Sequence, residues 1–336
     1  GARFSIWVPL TLAVSRGVLL EEGDVPVVLP LGSVDEILPL RRNAVEKIEE
    51  TGTIEHKDSN IPVVMLSRAL GLAGTAPPRF AVVVGVGERR RAIATLKVCG
   101  ETDIVGRPLP ESVHAPHFVT GATELAGGRV AVVIQPEELA GTSGSSAGGG
   151  VAAVDSVPEA ASEALREWKQ GRFLKFLMYR SNGVIYATPL CLLKEVIQVR
   201  NITRFPAIGR AWEGLFFVRG MCHGLARMRG RGSPADEEIR RIVVCTYPER
   251  CGIGSTEVIG YFVVPYQKIE RGCEGCDGDL VRTFGTFQWK GNEVKVLDMG
   301  GCMSLLLSDR EGRARRSDRT VAGTEPLMRA LSPDDT

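Results

Sequence analysis

The sequence predicts a mainly β protein made of two tandem copies of one hairpin-rich module. Two observations carry that prediction. Residues 80–98 read FAVVVGVGERRRAIATLKV: an apolar run at 81–84, a charged turn at Glu88 and Arg89 between Gly85 and Gly87 and the following arginines, and a return run at 91–98. Two β-rich runs joined by a short glycine-bearing turn are the signature of a hairpin. A looser version recurs downstream, as 241–247, a turn, and 258–264. The 39 glycines of the 336 residues fit many short strands separated by many turns. No nucleophile, acid or metal ligand accompanies the pattern, so it points to packed β modules and not to chemistry.

Each element follows from its local sequence. Phe4, Ile6 and Val8 alternate ahead of Pro9 and predict a strand. Residues 18–20, the turn 21–24 and residues 25–31 predict a hairpin, with Pro26 and Pro30 confining the return strand to an edge or its ends. Ser33 opens an expected short helix through Asp35, Glu36, Ile37 and Leu38. A polar loop is expected next, then a buried strand at 61–66 and a short helix at 67–72 stopped by Gly71 and Gly74. After the 80–98 hairpin come a loop with His114 and His117, strands at 121–125 and 130–134 around Gly127 and Gly128, and a short helix at 136–139.

Residues 141–150, GTSGSSAGGG, have linker composition. Ser156 and Glu159 have capping-box spacing before a helix ending near Gln170, whose Ala161, Ala164, Leu165 and Trp168 fall on one face. That face predicts packing on a neighbouring module, or docking of a partner. The second copy then starts. Its hairpin at 173–188 turns at Asn182-Gly183, a strong two-residue turn signal. A short helix is expected at 190–196, strands at 215–218 and 241–264, and a closing pair at 285–289 and 294–297 around Gly291-Asn292. The tail from Ser308 is charged and glycine-bearing and is expected to be disordered.

Composition sets limits on function. Length allows two or three domains. Lys plus Arg number 41 against 40 Asp plus Glu, a balance that gives no general argument for nucleic acid or an anionic membrane. The longest apolar runs fall short of the roughly 20 residues a bilayer span needs, and residues 1–20 carry no signal-peptide pattern. The chain begins at Gly1 without an initiator methionine, which suggests a piece of a longer protein. Of eight cysteines only Cys273 and Cys276 form a CxxC, without a second ligand pair, so no metal site is expected. The cysteines read as free thiols in a reducing compartment. His114 and His117 flank Pro116 without acidic or thiol partners, and 227–231 is a short basic loop. Gly85 and Gly87 sit in a hairpin turn, a poor phosphate cradle. No catalytic residues and no cofactor are expected.

Laid side by side, both copies resemble the CheW-like domain of bacterial chemotaxis. The first is similar to the regulatory domain at the C-terminus of the histidine kinase CheA: VVLPLGSVDEILPL, IPVVMLSRALGL, ETDIVGRPLP and FVTGATELAGGRVAVVIQPEEL carry that likeness. FSIWVPLTLAV resembles the strand leading from the kinase's ATP-binding domain. The second copy resembles the adaptor CheW through IYATPLCLLKEVIQVRNITRFP, WEGLFFVRG and FGTFQWKGNEVKVLDMGGCMSLL. It departs from the family after Arg219-Gly220, where Gly224 and Arg227 stand in place of a Pro and an Asp. In the first copy Lys57 and Asp58 stand where the family often has Arg-Gly.

The resemblance implies two tandem CheW-like modules, each a pair of SH3-like five-stranded β-barrels. It implies a lead-in or domain end at 1–13, a regulatory domain at 14–140, a linker with a short helix at 141–170, a divergent CheW-like domain at 171–307 and a tail at 308–336. The family has no catalytic activity; its members bind end to end through opposite barrels, making rings, and grip the tip of a receptor helical hairpin in a groove between barrels. Implied partners are chemoreceptor cytoplasmic tips and homologous CheA or CheW modules, with no nucleic acid and no membrane insertion. The implied location is cytoplasmic, at receptor arrays, in two-component phosphorelay signalling. Implied partner-binding residues are Lys57, Arg219 and Gly220, Arg219 matching the arginine beside the groove; alternatively Arg219 is a strand-end charge making a structural hydrogen bond. The parent chain is either a full histidine kinase with catalytic domains upstream or a stand-alone scaffold. A flexible linker would let the two modules pair within one chain.

Overall fold

A computed structural model describes residues 14–57, 59–72, 76–85, 89–141, 157–198, 201–209, 211–226, 228, 238–271, 281–301 and 303. The lead-in at 1–13, the linker, Ser156, the 227 and 229–231 arginine loop, Cys273, Cys276 and the tail lie outside these residues.

Among the described residues the first module contains ten strands: β1 (Val14–Glu22), β2 (Val25–Pro30), β3 (Val34–Pro39), β4 (Thr53–His56), β5 (Ser59–Met65), β6 (Phe80–Val84), β7 (Arg91–Thr95), β8 (Lys97–Val105), β9 (Val119–Glu124) and β10 (Val130–Ile134). They form two five-stranded sheets. A terminal sheet has the order β8-β1-β2-β10-β9, and a middle sheet inserted within it has the order β3-β6-β7-β5-β4. The second module repeats this strand for strand: β11 (Leu174–Ser181), β12 (Val184–Pro189), β13 (Leu193–Gln198), β14 (Trp212–Val218), β15 (Met221–Ala226), β16 (Arg241–Cys245), β17 (Cys251–Ser255), β18 (Glu257–Val264), β19 (Val281–Trp289) and β20 (Asn292–Met299). Its sheets are β18-β11-β12-β20-β19 and β13-β16-β17-β15-β14. Each terminal sheet is joined by a parallel pair, β2 with β10 and β12 with β20. Isolated bridges Arg107–Ala122 and Glu270–Thr286 curl the terminal sheets, and Thr203–Leu215 curls the second middle sheet. The mainly β, duplicated architecture is the one expected.

The core explains why some strands are legible. Val82 and Val84 face a large core shared by both modules, while Ala81 and Val83 face a second cluster with Ile48, Ile54, Ile61 and Ala92. A strand buried on both faces loses its alternation and becomes an apolar run. The Asn182-Gly183 turn has φ of 48° and 74°, as a two-residue hairpin turn requires.

Several expected elements differ. The helix expected from Ser33 is a 3-10 turn at Leu31–Ser33 followed by β3, whose residues alternate between half-buried and exposed. The helix expected at 190–196 is the same arrangement, a 3-10 turn at Leu190–Leu192 followed by β13. The polar loop after Pro39 contains helix α1 (Arg42–Thr51) and strand β4. α1 ends at Gly52, with φ 67° and an N–H donating to the Ile48 carbonyl, and it buries only Ile48, so its sequence looks polar. A second helix, α2 (Leu66–Ala69), follows β5.

The hairpin expected across 241–264 does not form. β16 pairs with β17, and β18 pairs with β11. Likewise the return strand of the first hairpin ends at Thr95, and residues 97–105 cross to the terminal sheet as β8. β17 reads CGIGS because its glycines are sterically required: a Cβ on Gly252 would sit 2.5 Å from Phe216 Cζ, and one on Gly254 2.7 Å from Ile239 Cδ1.

Helix α3 (Glu159–Lys169) starts after Pro158 with no side-chain cap. Its Ala161, Leu165 and Trp168 pack into the core of the second terminal sheet, and Trp168 Nε1–H donates to the Val264 carbonyl at 2.7 Å.

Charge links the first module's elements as well. Glu21 accepts from Lys97 Nζ at 2.7 Å and Arg129 Nη1 at 2.8 Å. The hydrogen bond from Lys97, with that from Arg129, lowers its pKa to about 2. Because the folded carboxyl is more acidic than the unfolded one, this contribution is present above the usual carboxylate range and is lost as pH falls from about 4.5 towards 2. Glu21→Gln is expected to cost about 1 kcal/mol at pH 7, the upper end for solvent-screened pairs. The gap from wild type should close on acidification, as read by urea melts at pH 7, 4 and 3. A constant gap would count against the assignment.

Candidate partner-binding surfaces

Lys57 and Arg219 occupy equivalent tips in the two copies. Lys57 turns the β4–β5 hairpin with φ 46°, and Arg219 and Gly220 turn β14–β15 with φ 50° and 72°. Two successive positive φ angles make a tight hairpin turn that glycine enters without strain. Each cation faces a carboxylate from the strand at the far end of its sheet's order, β3 or β13. Arg219 Nη2 donates to Glu195 Oε2 at 3.0 Å; Lys57 Nζ lies 3.4 Å from Glu36 Oε2 and 3.7 Å from Asp35 Oδ2. Glu36 and Glu195 hold matching register positions opposite Val83 and Val244.

The copies diverge beneath the tip. Buried His56 places Nε2 2.9 Å from Glu36 Oε2, and this bond, with that from Lys57, lowers the Glu36 pKa. The second copy has Val218 at that position. Arg219 remains 74% exposed despite its pair, flanked in sequence by exposed Met221; Val196, next to Glu195, is exposed too, as is its counterpart Ile37. The second tip thus presents an anchored guanidinium close in sequence to exposed apolar side chains. The two tips lie on different modules, one in each middle sheet.

A further surface, absent from the expected residues, joins the modules. The first terminal sheet and the loop before β9 pack against the second middle sheet. Val130 N–H donates to Thr203 Oγ1 at 3.2 Å, and the Thr203 hydroxyl donates to the Val130 carbonyl at 2.7 Å. Trp212 Nε1–H donates to the Ser112 carbonyl at 2.9 Å. Arg250 gives one N–H to the Pro108 carbonyl at 3.1 Å and another to the Leu109 carbonyl at 3.3 Å. Asn201 Nδ2 donates to the Gly127 carbonyl. Val113, Phe118, Ile208, Trp212 and Leu215 are buried in one core cluster. Gly224 admits the contact, since a Cβ there would sit 2.5 Å from the Trp212 ring and 2.9 Å from Val113.

Among the described residues no group of three or more His, Cys, Asp or Glu side chains is arranged to hold a metal ion. His117 Nε2 is 2.9 Å from the Glu138 carbonyl, a loop contact. Cys99, Cys191, Cys222, Cys245 and Cys251 are free thiols. Burial pushes Cys191 up to about 11 and Cys222 up to about 12, which keeps both un-ionised near neutrality. No helix among the described residues is long and apolar enough to cross a membrane.

The sequence matches the CheW-like domain family over residues 16–143, the span that holds all ten strands of the first module but the first two residues of β1. Residues 16–143 are a CheW-like domain. Related proteins include the chemotaxis protein CheA of Treponema pallidum, 27% identical over 143 residues, covering 41% of this chain and 18% of that protein. CheA of Bacillus subtilis is 26% identical over 142 residues, covering 41% and 21%. The gliding motility regulatory protein of Myxococcus xanthus is 26% identical over 144 residues, covering 41% and 18%. The chain thus spans about a fifth of the length of these relatives. Among solved structures, the scaffolding protein TtCheW of Thermoanaerobacter tengcongensis aligns at 16% identity and a TM-score of 0.33, covering 38% of this chain and 90% of that one. The second module repeats the strand order of the CheW-like domain without being part of the matched span.

Proposed function

We propose that this chain is the non-catalytic regulatory and scaffold region of a chemotaxis-type histidine kinase, carrying its own adaptor-like module. Its work is to couple chemoreceptors to kinase activity through protein contacts in a cytoplasmic signalling array. The observation that carries this reading is the contact between the first terminal sheet and the second middle sheet: unlike sheets of two copies, joined by backbone-directed hydrogen bonds around Trp212. Modules that join in this way can act as connectors, and the likeness of residues 16–143 to the CheW-like domain and to CheA proteins supports a chemotaxis setting for that connector. On this reading the units are 14–140 and 171–307, with 141–170 between them.

The receptor's hairpin tip would dock beside Arg219 and Gly220 and, in the first copy, beside Lys57. The same parent would hold catalytic domains upstream, a reading favoured by the much greater length of the CheA relatives; a stand-alone scaffold is the other form.

Arg219→Ala tests the reading. The side chain is exposed, so melting should move by no more than about 0.5 kcal/mol. Co-sedimentation of the full chain with receptor cytoplasmic fragments should weaken at least about fivefold, the scale of an interfacial arginine worth ~1 kcal/mol. Unchanged binding would remove Arg219 from the surface. No binding by the wild-type chain would overturn the receptor assignment.

A further inference from the structure

The two copies differ most sharply at the free edge of their terminal sheets. Their registers align residue for residue, because both β1–β8 and β11–β18 slip by one at the same place, opposite Gly100 and Gly260. In the first copy the outer face of that edge carries Arg16, Glu101 and Asp103, with Arg16 paired to Glu101. Charges of this kind blunt an edge strand against unwanted pairing. In the second copy the same positions hold Lys175, Tyr261 and Val263. Tyr261 is 67% exposed and Val263 49%, and Phe173, at the start of β11 on the same face, is 81% exposed. Lys175 sits directly across from Val263 and, among the described residues, has no ion-pair partner, since its counterpart's partner has become Tyr261.

The result is an apolar strip with one unpaired cation at its centre, contiguous with the core through buried Leu177, which lies opposite Tyr261. Its fitting occupant has several large apolar side chains and net negative charge.

We propose that residues 325–336 of this same chain cover the strip. That stretch, EPLMRALSPDDT, offers Leu327, Met328 and Leu331, with Glu325, Asp334 and Asp335 against a single Arg329. The preceding 308–319 holds five arginines against three acids and has the wrong sign for Lys175. The chain also leaves the fold beside this sheet: Met303 is fully buried in the cluster beneath its other face, with Leu174 and Val264, and its N–H donates to Asp298 Oδ1 at 2.7 Å. Were the 22 residues from Met303 to Glu325 a coil, their end-to-end distance would be roughly 25 Å, ample to return round the edge of one small sheet, and would hold the end at an effective concentration on the order of millimolar.

Hydrogen exchange of the full chain tests this independently of any receptor. Truncation after residue 319 should speed exchange of the β18 amides about tenfold, Leu327→Asp with Leu331→Asp should do the same, and a synthetic peptide of residues 320–336 added to the truncated chain should restore protection. Tyr261→Lys, at an exposed position, should leave melting unchanged and abolish the effect of truncation. Three outcomes overturn the proposal: equal β18 exchange with and without the tail, protection that survives truncation and rises with protein concentration (a second copy on the strip), or a tail effect indifferent to the two leucines.

Discussion

Replacing Trp212 by alanine should detach the two modules from one another and cost about 3–5 kcal/mol. The ring is 2% exposed, lies against Gly224 and Val113, and donates to the Ser112 carbonyl. Truncation opens a cavity at the centre of the intermodule contact and strands a carbonyl without its donor. The core cluster is continuous from Val18 to Met299, so the wild-type chain should melt in one main transition. The alanine variant should show two, with a larger radius of gyration by small-angle scattering. Trp212→Phe keeps most of the packing and should lose only about 1 kcal/mol for the hydrogen bond. A single transition at the wild-type radius in the alanine variant would mean that the contact is not what holds the modules together.

The second large effect is expected at Trp168, and it should stay local. This ring is fully buried, meets Phe176 and Tyr266 edge-on at 5.3 and 4.9 Å, and donates to the Val264 carbonyl. It fastens α3 over the second terminal sheet. Trp168→Ala should cost about 3–5 kcal/mol, release α3 to protease, and speed amide exchange in β11 and β18. Amides of β6 and β7 in the first module should be untouched, because α3 packs in a separate cluster. A loss under about 1 kcal/mol, or equal exchange changes in both modules, would argue against α3 as a clamp on one module.

What the sequence discloses and conceals follows from where each signal resides. β6 is plain because both of its faces are buried, and the turn at Asn182-Gly183 is plain because few residues adopt its backbone angles. β17 is hidden because close packing against Phe216 and Ile239 imposes glycines that elsewhere mean a turn. α1 hides because one buried isoleucine is enough to seat it. Lys57 and Arg219 fall at equivalent hairpin tips, and their carboxylate partners come from strands expected to be helical. The intermodule contact is the least legible feature. All but one of its described acceptors, the Thr203 hydroxyl, are main-chain carbonyls, those of Pro108, Leu109, Ser112, Gly127 and Val130, which any residue type supplies. Trp212, a large ring at the start of β14, gives no sign in the sequence of what it packs against.

The interleaved strand order also bears on how the chain is made. Within the first module β1 and β2 emerge from the ribosome ahead of the rest, yet their sheet partners β8, β9 and β10 follow only after the whole middle sheet. From Pro30 to Val130 the wait is on the order of 5–20 s at ordinary translation rates. Throughout it the uncharged stretch Val25–Pro30 has β1 on one side but lacks β10 on the other. Pro26 and Pro30, one inside and one ending that stretch, are residues that resist strand stacking, and they guard the nascent hairpin until synthesis catches up.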